Sequence, residues 1–221
     1  MSTQRRWPVA DLRRALAVYV LTDRACARGR SEVDLAAAAL AGGATALQLR
    51  DKDRPARELY ALACALAELC ATAAVLFVVN DRLDIALACG APGVHLGQDD
   101  LPVERARALG GPDLVIGVSA GTPREAVAAW RAGADYLGVG PAFATATKPD
   151  AGTPLGRTGL ASVVRAAPLP VVAIGGIRPE NAAVALAAGA CGVAAISAVM
   201  AATDVAAQAS RLASAVRGAL A

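Results

Sequence analysis

Gly133-Ala134-Asp135-Tyr136-Leu137-Gly138-Val139-Gly140-Pro141 is the stretch on which the reading of the fold turns. A Gly-Ala pair closes the helical pattern Pro123–Ala132, a short apolar run follows, and Gly140-Pro141 ends it. Glycine is the residue expected where a helix ends in a left-handed residue and the chain turns back. The apolar run has the length of a strand, and Gly-Pro marks a turn. The same Gly-Ala pair recurs at Gly43-Ala44, Gly90-Ala91 and Gly189-Ala190, each time closing a helix just before a strand candidate.

Working outward from these pairs, the strand candidates are 18–22, 45–50, 75–80, Gly93–Leu96, 114–119, 136–140, 171–175 and 193–197. Helical patterns lie between them, among them Glu32–Ala41, 54–71, Pro123–Ala132 and 179–188. Strands that alternate with helices predict an α/β fold with a parallel sheet. For 221 residues the expectation is a closed (β/α)8 barrel, the TIM-barrel architecture, with an open doubly wound sheet as the alternative. The Gly-Ala pairs precede the second, fourth, sixth and eighth strand candidates, which favours the barrel. No linker divides the chain, so 1–221 is read as one domain with 1–17 as an N-terminal extension or helix.

Composition narrows the function. Hydrophobic residues make up 56% of the chain but aromatics only 3%, so the core is aliphatic. A net charge of +3, without a dense basic patch or aromatic platforms, speaks against nucleic acid. Five cysteines, an odd number without a Cys-x-x-Cys pair, fit reduced thiols better than disulfides or zinc. Neither a signal peptide nor a membrane span is read, and a soluble cytoplasmic protein is expected.

In such a barrel the site is expected at the C-terminal ends of the strands. Those ends are Thr22-Asp23, Gln48 to Lys52, Asn80-Asp81, Gln98 to Asp100, Ser119, the Thr145-Ala146-Thr147-Lys148 loop, Gly175-Gly176 and Ile196-Ser197. Gln48, Arg50 and Lys52 alternate, which puts them on one side of a strand and Leu47 and Leu49 on the other. An inward ladder of this kind needs an anion opposite it, unless Asp51 or Asp53 pairs with the cations at the rim. Asp81 and Asp100 end neighbouring strands. They either cap the helices that follow or hold Mg²⁺, which takes one or two carboxylates with waters and phosphate oxygens. Their company of Arg50, Lys52 and Lys148 favours a metal-diphosphate site. Gly175-Gly176 and Ile196-Ser197 stand where barrels bind a phosphate on backbone N–H groups. His95, the single histidine, reads as a hydrogen-bonded core residue. Two anion subsites in one mouth point to joining two phosphorylated substrates, or to moving a group between them.

At these residues the sequence resembles the thiamine-phosphate synthases, from Tyr19 to about Ala202. The resemblance rests on Gln-Leu-Arg-Asp-Lys (48–52), Val-Asn-Asp-Arg (79–82), Gly-Val-His-Leu-Gly-Gln-Asp-Asp (93–100), Gly-Val-Ser-Ala (117–120), Gly-Val-Gly-Pro-Ala-Phe-Ala-Thr-Ala-Thr-Lys (138–148), Ala-Ile-Gly-Gly-Ile (173–177) and Ala-Ile-Ser (195–197). It implies that hydroxymethylpyrimidine diphosphate and thiazole phosphate are joined, with Mg²⁺, to thiamine phosphate and diphosphate. Gln48, Leu49, Arg50, Asp51, Lys52, Asn80, Ser119 and Lys148 are then expected to hold the pyrimidine diphosphate. Asp81 and Asp100 are expected to hold Mg²⁺, and Thr145, Ala146, Thr147, Gly176, Ile196 and Ser197 the thiazole phosphate. Arg50, Lys52, Ser119 and Lys148 take the catalytic roles.

The implied mechanism is dissociative. The long stretch 141–158 is expected to act as a lid that keeps water from the cation. Two positions depart from the family pattern: Gly121 stands where a polar residue, often histidine, is common, and Ala144 where proline often stands. A related thiazole tautomerase relies on that histidine, so Gly121 favours the synthase. A non-catalytic sensor of thiamine precursors is the third reading.

Overall fold

A computed structural model of the chain describes residues 9–145, 147 and 152–220. Eight parallel strands close in sequence order into a barrel, with β1 hydrogen-bonded to β8. The elements run α1 (Val9–Ala15), β1 (Val18–Leu21), α2 (Arg24–Ala27), α3 (Glu32–Ala41), β2 (Ala46–Leu49), α4 (Ala56–Thr72), β3 (Leu76–Asn80), α5 (Leu83–Ala88) and β4 (Gly93–Leu96). They continue with α6 (Val103–Gly110), β5 (Val115–Ala120), α7 (Pro123–Ala132), β6 (Tyr136–Val139), α8 (Gly156–Ala166), β7 (Val171–Ile174), α9 (Pro179–Ala187), β8 (Gly192–Ala195), α10 (Ser197–Met200) and α11 (Val205–Leu220). The barrel, not the open sheet, is the fold.

All four Gly-Ala pairs form one turn. Gly43, Gly90, Gly133 and Gly189 have φ of +99°, +69°, +98° and +97°. Each glycine N–H donates three residues back, and the following alanine N–H donates five residues back into the helix. This is the Schellman closure, which satisfies the last carbonyls of a helix. The alanines of the pairs are buried and begin the next strand's descent into the core. Ahead of β3 the same two hydrogen bonds form around Ala74, at φ +55° without the freedom of a glycine.

The two-residue period of the strands sorts side chains into two cores. Val18, Val20, Leu47, Leu49, Phe77, Val79, Leu137 and Val139 face the helices and share one apolar cluster with them. Tyr19, Leu21, Ala46, Leu76, Val78, Val115, Tyr136 and Val172 fill the barrel. Leu12 of α1 and Leu16 just after it join this inner cluster and seal its N-terminal end.

Two boundaries correct the sequence reading. The helix expected over 54–71 starts at Ala56, because Pro55 disfavours helical geometry at Arg54 and stands itself as the N-cap. The strand expected over 193–197 ends at Ala195, and Ser197 instead opens α10. None of the described helices is long and apolar enough to cross a membrane.

Candidate active site

The C-terminal ends of the strands surround a cavity of about 1070 Å³. Gln48, Arg50, Lys52, Asn80, Asp81, Asp100, Ser119, Thr145, Thr147, Gly176, Ile196 and Ser197 all line it. Thus most residues expected at the site come together although they are spread over 150 positions, about the span from Gln48 to Ser197. Ala146 and Lys148 lie outside the described residues.

Leu49 and Asp51 are exceptions. Leu49 closes β2 on its outer face and is buried against the helices. Asp51 turns away to accept from the Arg54 guanidinium at 2.8 Å and from the N–H groups of Asp53 and Arg54 at 3.1 Å each. The expected segment 48–52 therefore contributes the side chains of Gln48, Arg50 and Lys52 to the cavity. The strand ends at Leu49, so only Gln48 reaches inward by strand alternation, while Arg50 and Lys52 are aimed by the turn.

The cations have partners. Arg50 donates to Asp23 at 3.0 Å, and Asp23 in turn caps α2 by accepting from the Cys26 N–H at 3.0 Å. Lys52 Nζ stands 3.6 Å from Asp81. The alternative pairing with Asp51 or Asp53 does not form for either cation among the described residues; Asp51 serves Arg54, which also reaches Glu32.

Asp81 and Asp100 are not helix caps. The helix after Asp81 begins at Leu83 and the one after Asp100 at Val103, neither with a side-chain cap. Asp81 instead sits at φ +61°, a left-handed position that aspartate tolerates better than most residues. Burial, followed by the neighbouring Asp100 carboxylate, raises the Asp81 pKa above its ordinary value, against the pull of Lys52 and Arg50. Asp100 accepts from the Gly97 N–H at 2.6 Å. Two carboxylates pressed together at a cavity wall call for a proton or a cation between them. A pair that no third carboxylate, histidine or thiolate joins among the described residues suits Mg²⁺, which completes its shell with water and phosphate oxygens. The donor set therefore fits the metal.

Across the cavity, the chain after β6 is stitched to the end of β7. Ala142 N–H donates to Ile174 O at 2.8 Å and Phe143 N–H to Gly175 O at 3.0 Å. Gly175 and Gly176, at φ +94° and +65°, make this approach possible: a Cβ on Gly176 would lie 2.4 Å from the Ala144 carbonyl. The glycine pair thus has a packing duty as well as a place in the cavity wall. Farther out, Thr147 N–H donates to Thr145 Oγ1 at 3.2 Å, and Thr147 Oγ1 meets Ser197 Oγ at 3.0 Å. One hydrogen bond therefore joins the loop after β6 to the end of β8.

His95 is hydrogen-bonded in the interior as expected, and it also faces the cavity. Its Nδ1 lies 3.0 Å from Tyr136 Oη and its Nε2 3.1 Å from Ser119 Oγ. Burial lowers its pKa to about 4, so the imidazole is neutral. Tyr136 Oη is 3.0 Å from Tyr19 Oη, to which Gln48 Nε2 donates at 2.8 Å. Burial keeps both phenols protonated, Tyr136 far above its ordinary value. The sequence reading missed Tyr19 and Tyr136; the only available signal was a polar tip at an inward position of an apolar strand.

Gly121 donates its N–H to Glu125 Oε2 at 2.7 Å. A Cβ there would meet nothing closer than 3.7 Å, so packing does not require glycine at this position.

A closed parallel barrel whose mouth gathers cations, a carboxylate pair and hydroxyls in one cavity defines an enzyme for small anionic substrates. The family model described as thiamine monophosphate synthase matches residues 18–199. The thiamine-phosphate synthase of Moorella thermoacetica is 55% identical over 195 residues, covering 88% of this chain and 93% of its own. That of Methanospirillum hungatei is 52% identical over 190 residues, 86% and 92% of the two chains. The solved thiamine phosphate pyrophosphorylase of Pyrococcus furiosus superposes with a TM-score of 0.88 at 44% identity, over 95% of this chain and all of its own. At 18% identity and a TM-score of 0.66, 3-hexulose-6-phosphate synthase shares the fold alone. The chain belongs to the thiamine monophosphate synthase family, a family of transferases.

Proposed function

We propose that the protein joins 4-amino-2-methyl-5-hydroxymethylpyrimidine diphosphate to 4-methyl-5-(2-phosphoethyl)thiazole, forming thiamine phosphate and releasing diphosphate in the cytoplasm. The observation that carries this reading is the carboxylate pair Asp81 and Asp100, set beside Lys52 and Arg50 in one cavity with the hydroxyls of Thr145, Thr147 and Ser197. One group suits a metal-bound diphosphate and the other a phosphate monoester.

Arg50 and Lys52, joined by Lys148, hold the diphosphate oxygens. Gln48, Asn80 and Ser119 orient the pyrimidine. Thr145, Thr147, Gly176, Ile196 and Ser197 hold the thiazole phosphate, so that the ring nitrogen lies against the pyrimidine methylene carbon. The bond between that carbon and the diphosphate oxygen breaks, its electron pair leaving with diphosphate. The thiazole nitrogen lone pair then forms the new C–N bond. Asp81 and Asp100 would hold Mg²⁺, which would supply positive charge to neutralise the leaving group. Arg50, Lys52 and Lys148 stabilise the same developing charge from the cavity wall. No proton has to be abstracted, which agrees with a single neutral histidine. The loop after β6, tied to Ser197 through Thr147, sheds water from the cation.

The test is diphosphate release from the purified protein given either substrate or both, with Mg²⁺ or with chelator. Release that needs both substrates and the metal is expected. Tight binding of both without release would make the protein a sensor, and conversion of a thiazole isomer alone would make it a tautomerase.

A further inference from the structure

The chain Gln48–Tyr19–Tyr136–His95–Ser119 crosses the barrel from β2 to β5 in four hydrogen bonds of 2.8, 3.0, 3.0 and 3.1 Å. All five residues border the cavity, and all but Ser119 are buried. The barrel is built around it. A Cβ on Gly117 would fall 2.1 Å from the Tyr136 ring, and one on Gly138 would fall 2.9 Å from His95 Cε1. Two inward strand positions are thus glycine where the tyrosine and the histidine need the room.

Each neutral phenol, and the neutral imidazole, has one proton to give. Neither buried phenol has another acceptor among the described residues, so each donates within the chain, and the direction of the Gln48 link fixes the rest. With the Gln48 amide donating to Tyr19, Tyr19 donates to Tyr136 and Tyr136 to His95 Nδ1. His95 Nε2–H then donates to Ser119 Oγ, and the Ser119 hydroxyl proton points to the cavity. Gln48 Oε1 is left without a donor among the described residues. Reversing the chain requires the amide to turn over and the histidine to change tautomer, so that Gln48 becomes the donor to the ligand and Ser119 the acceptor.

We propose that Tyr19, Tyr136 and His95 are positioning residues: their hydrogen-bond chain locks Ser119 as donor and Gln48 as acceptor, and so selects a ring that offers an acceptor on one side and an amino group on the other. The ligand class is an amino-substituted nitrogen heterocycle. An oxo analogue of the same shape presents the opposite pattern and meets two mismatched groups, an arrangement that polar sites reject strongly. This inference rests on the synthase reading for its substrate, although the tautomer can be measured without it.

Because His95 is the only histidine, ¹⁵N-histidine labelling reports one imidazole. The ligand-free protein is expected to show the Nε2–H tautomer at neutral pH. In Tyr136→Phe the tautomers should mix, and KM for the pyrimidine diphosphate should rise about tenfold while KM for the thiazole phosphate stays within about twofold. Tyr19→Phe, two links from the histidine, should raise the same KM and serves if Tyr136→Phe fails to fold. An Nδ1–H tautomer in the wild-type protein overturns the proposal, as does a pyrimidine KM unchanged in either variant. Failure of the synthase reading would show separately, as absent diphosphate release from a protein with the Nε2–H tautomer.

Discussion

At the N-terminal end of the barrel, the Arg107 guanidinium donates to Leu114 O at 2.5 Å, Gly133 O at 3.1 Å and Asp135 Oδ2 at 2.5 Å. The same Asp135 oxygen accepts from the Ile116 N–H at 2.8 Å. At the C-terminal end, Asp81 and Asp100 are pressed together, and burial and mutual repulsion raise the Asp81 pKa. Opposite charges lock the floor, whereas like charges are held side by side at the mouth. The arrangement at the floor stabilises the fold. The one at the mouth opposes folding, and under the proposed function it gains its value when a cation and a charged substrate enter. Substitutions at the two ends should therefore separate activity from stability in opposite directions.

The largest effect is expected from Asp81→Asn. Turnover should fall by about a hundredfold or more, the scale for losing a group that stabilises developing charge. Asparagine also tolerates the left-handed backbone there. Stability should move the other way. A carboxyl whose folded pKa lies above its unfolded value contributes most at low pH and loses that contribution as pH rises through the folded pKa. The variant lacks this loss, so its Tm advantage over the wild type should grow as pH rises above the ordinary carboxylate range. A Tm that falls along with activity would make Asp81 a structural residue like those of the floor.

Arg107→Ala should do the reverse. It removes a guanidinium shared among four backbone carbonyls and a carboxylate, and chemical denaturation should register a loss of about 3 kcal/mol. The fraction that remains folded should turn over at the wild-type rate. A reduced kcat in fully folded Arg107→Ala would mean that floor and mouth are coupled. The smallest change is Ala74→Gly. Ala74 occupies the left-handed position that glycine fills in the four Gly-Ala turns, and it is exposed, so little packing is lost. Relief of the Cβ clash should raise stability by about 1 kcal/mol without altering the mouth. No gain would show that the turn is held by its two hydrogen bonds alone.

The eight strands and their order were legible because their signals are local. A Gly-Ala closure, a short apolar run and a polar terminus each depend on a few neighbouring residues, and a strand's polar terminus falls at the barrel mouth wherever the strand sits. The same logic brought Gln48, Arg50, Lys52, Asn80, Asp81, Asp100, Ser119, Gly176 and Ser197 to one cavity. Leu49 and Asp51 mark its limit. Motif matching took 48–52 as a block, whereas strand alternation had already turned Leu49 outward, and an Asx-type turn gave Asp51 to Arg54.

What only the tertiary structure decided is the polar interior. Val18-Tyr19-Val20 reads as an ordinary core strand, and nothing nearby in sequence identifies the partner of its hydroxyl. That partner, Tyr136, is 117 residues away. That Asp81 and Asp100 confront each other rather than cap helices was favoured along the chain only by the cations expected beside them, since aspartate before a helix serves either role. The sequence determined which residues end strands, because backbone propensity and side-chain period act over a few residues. Closure of the barrel determined which side chains face one another across its axis, because a hydrogen bond or a carboxylate repulsion depends on distance in space.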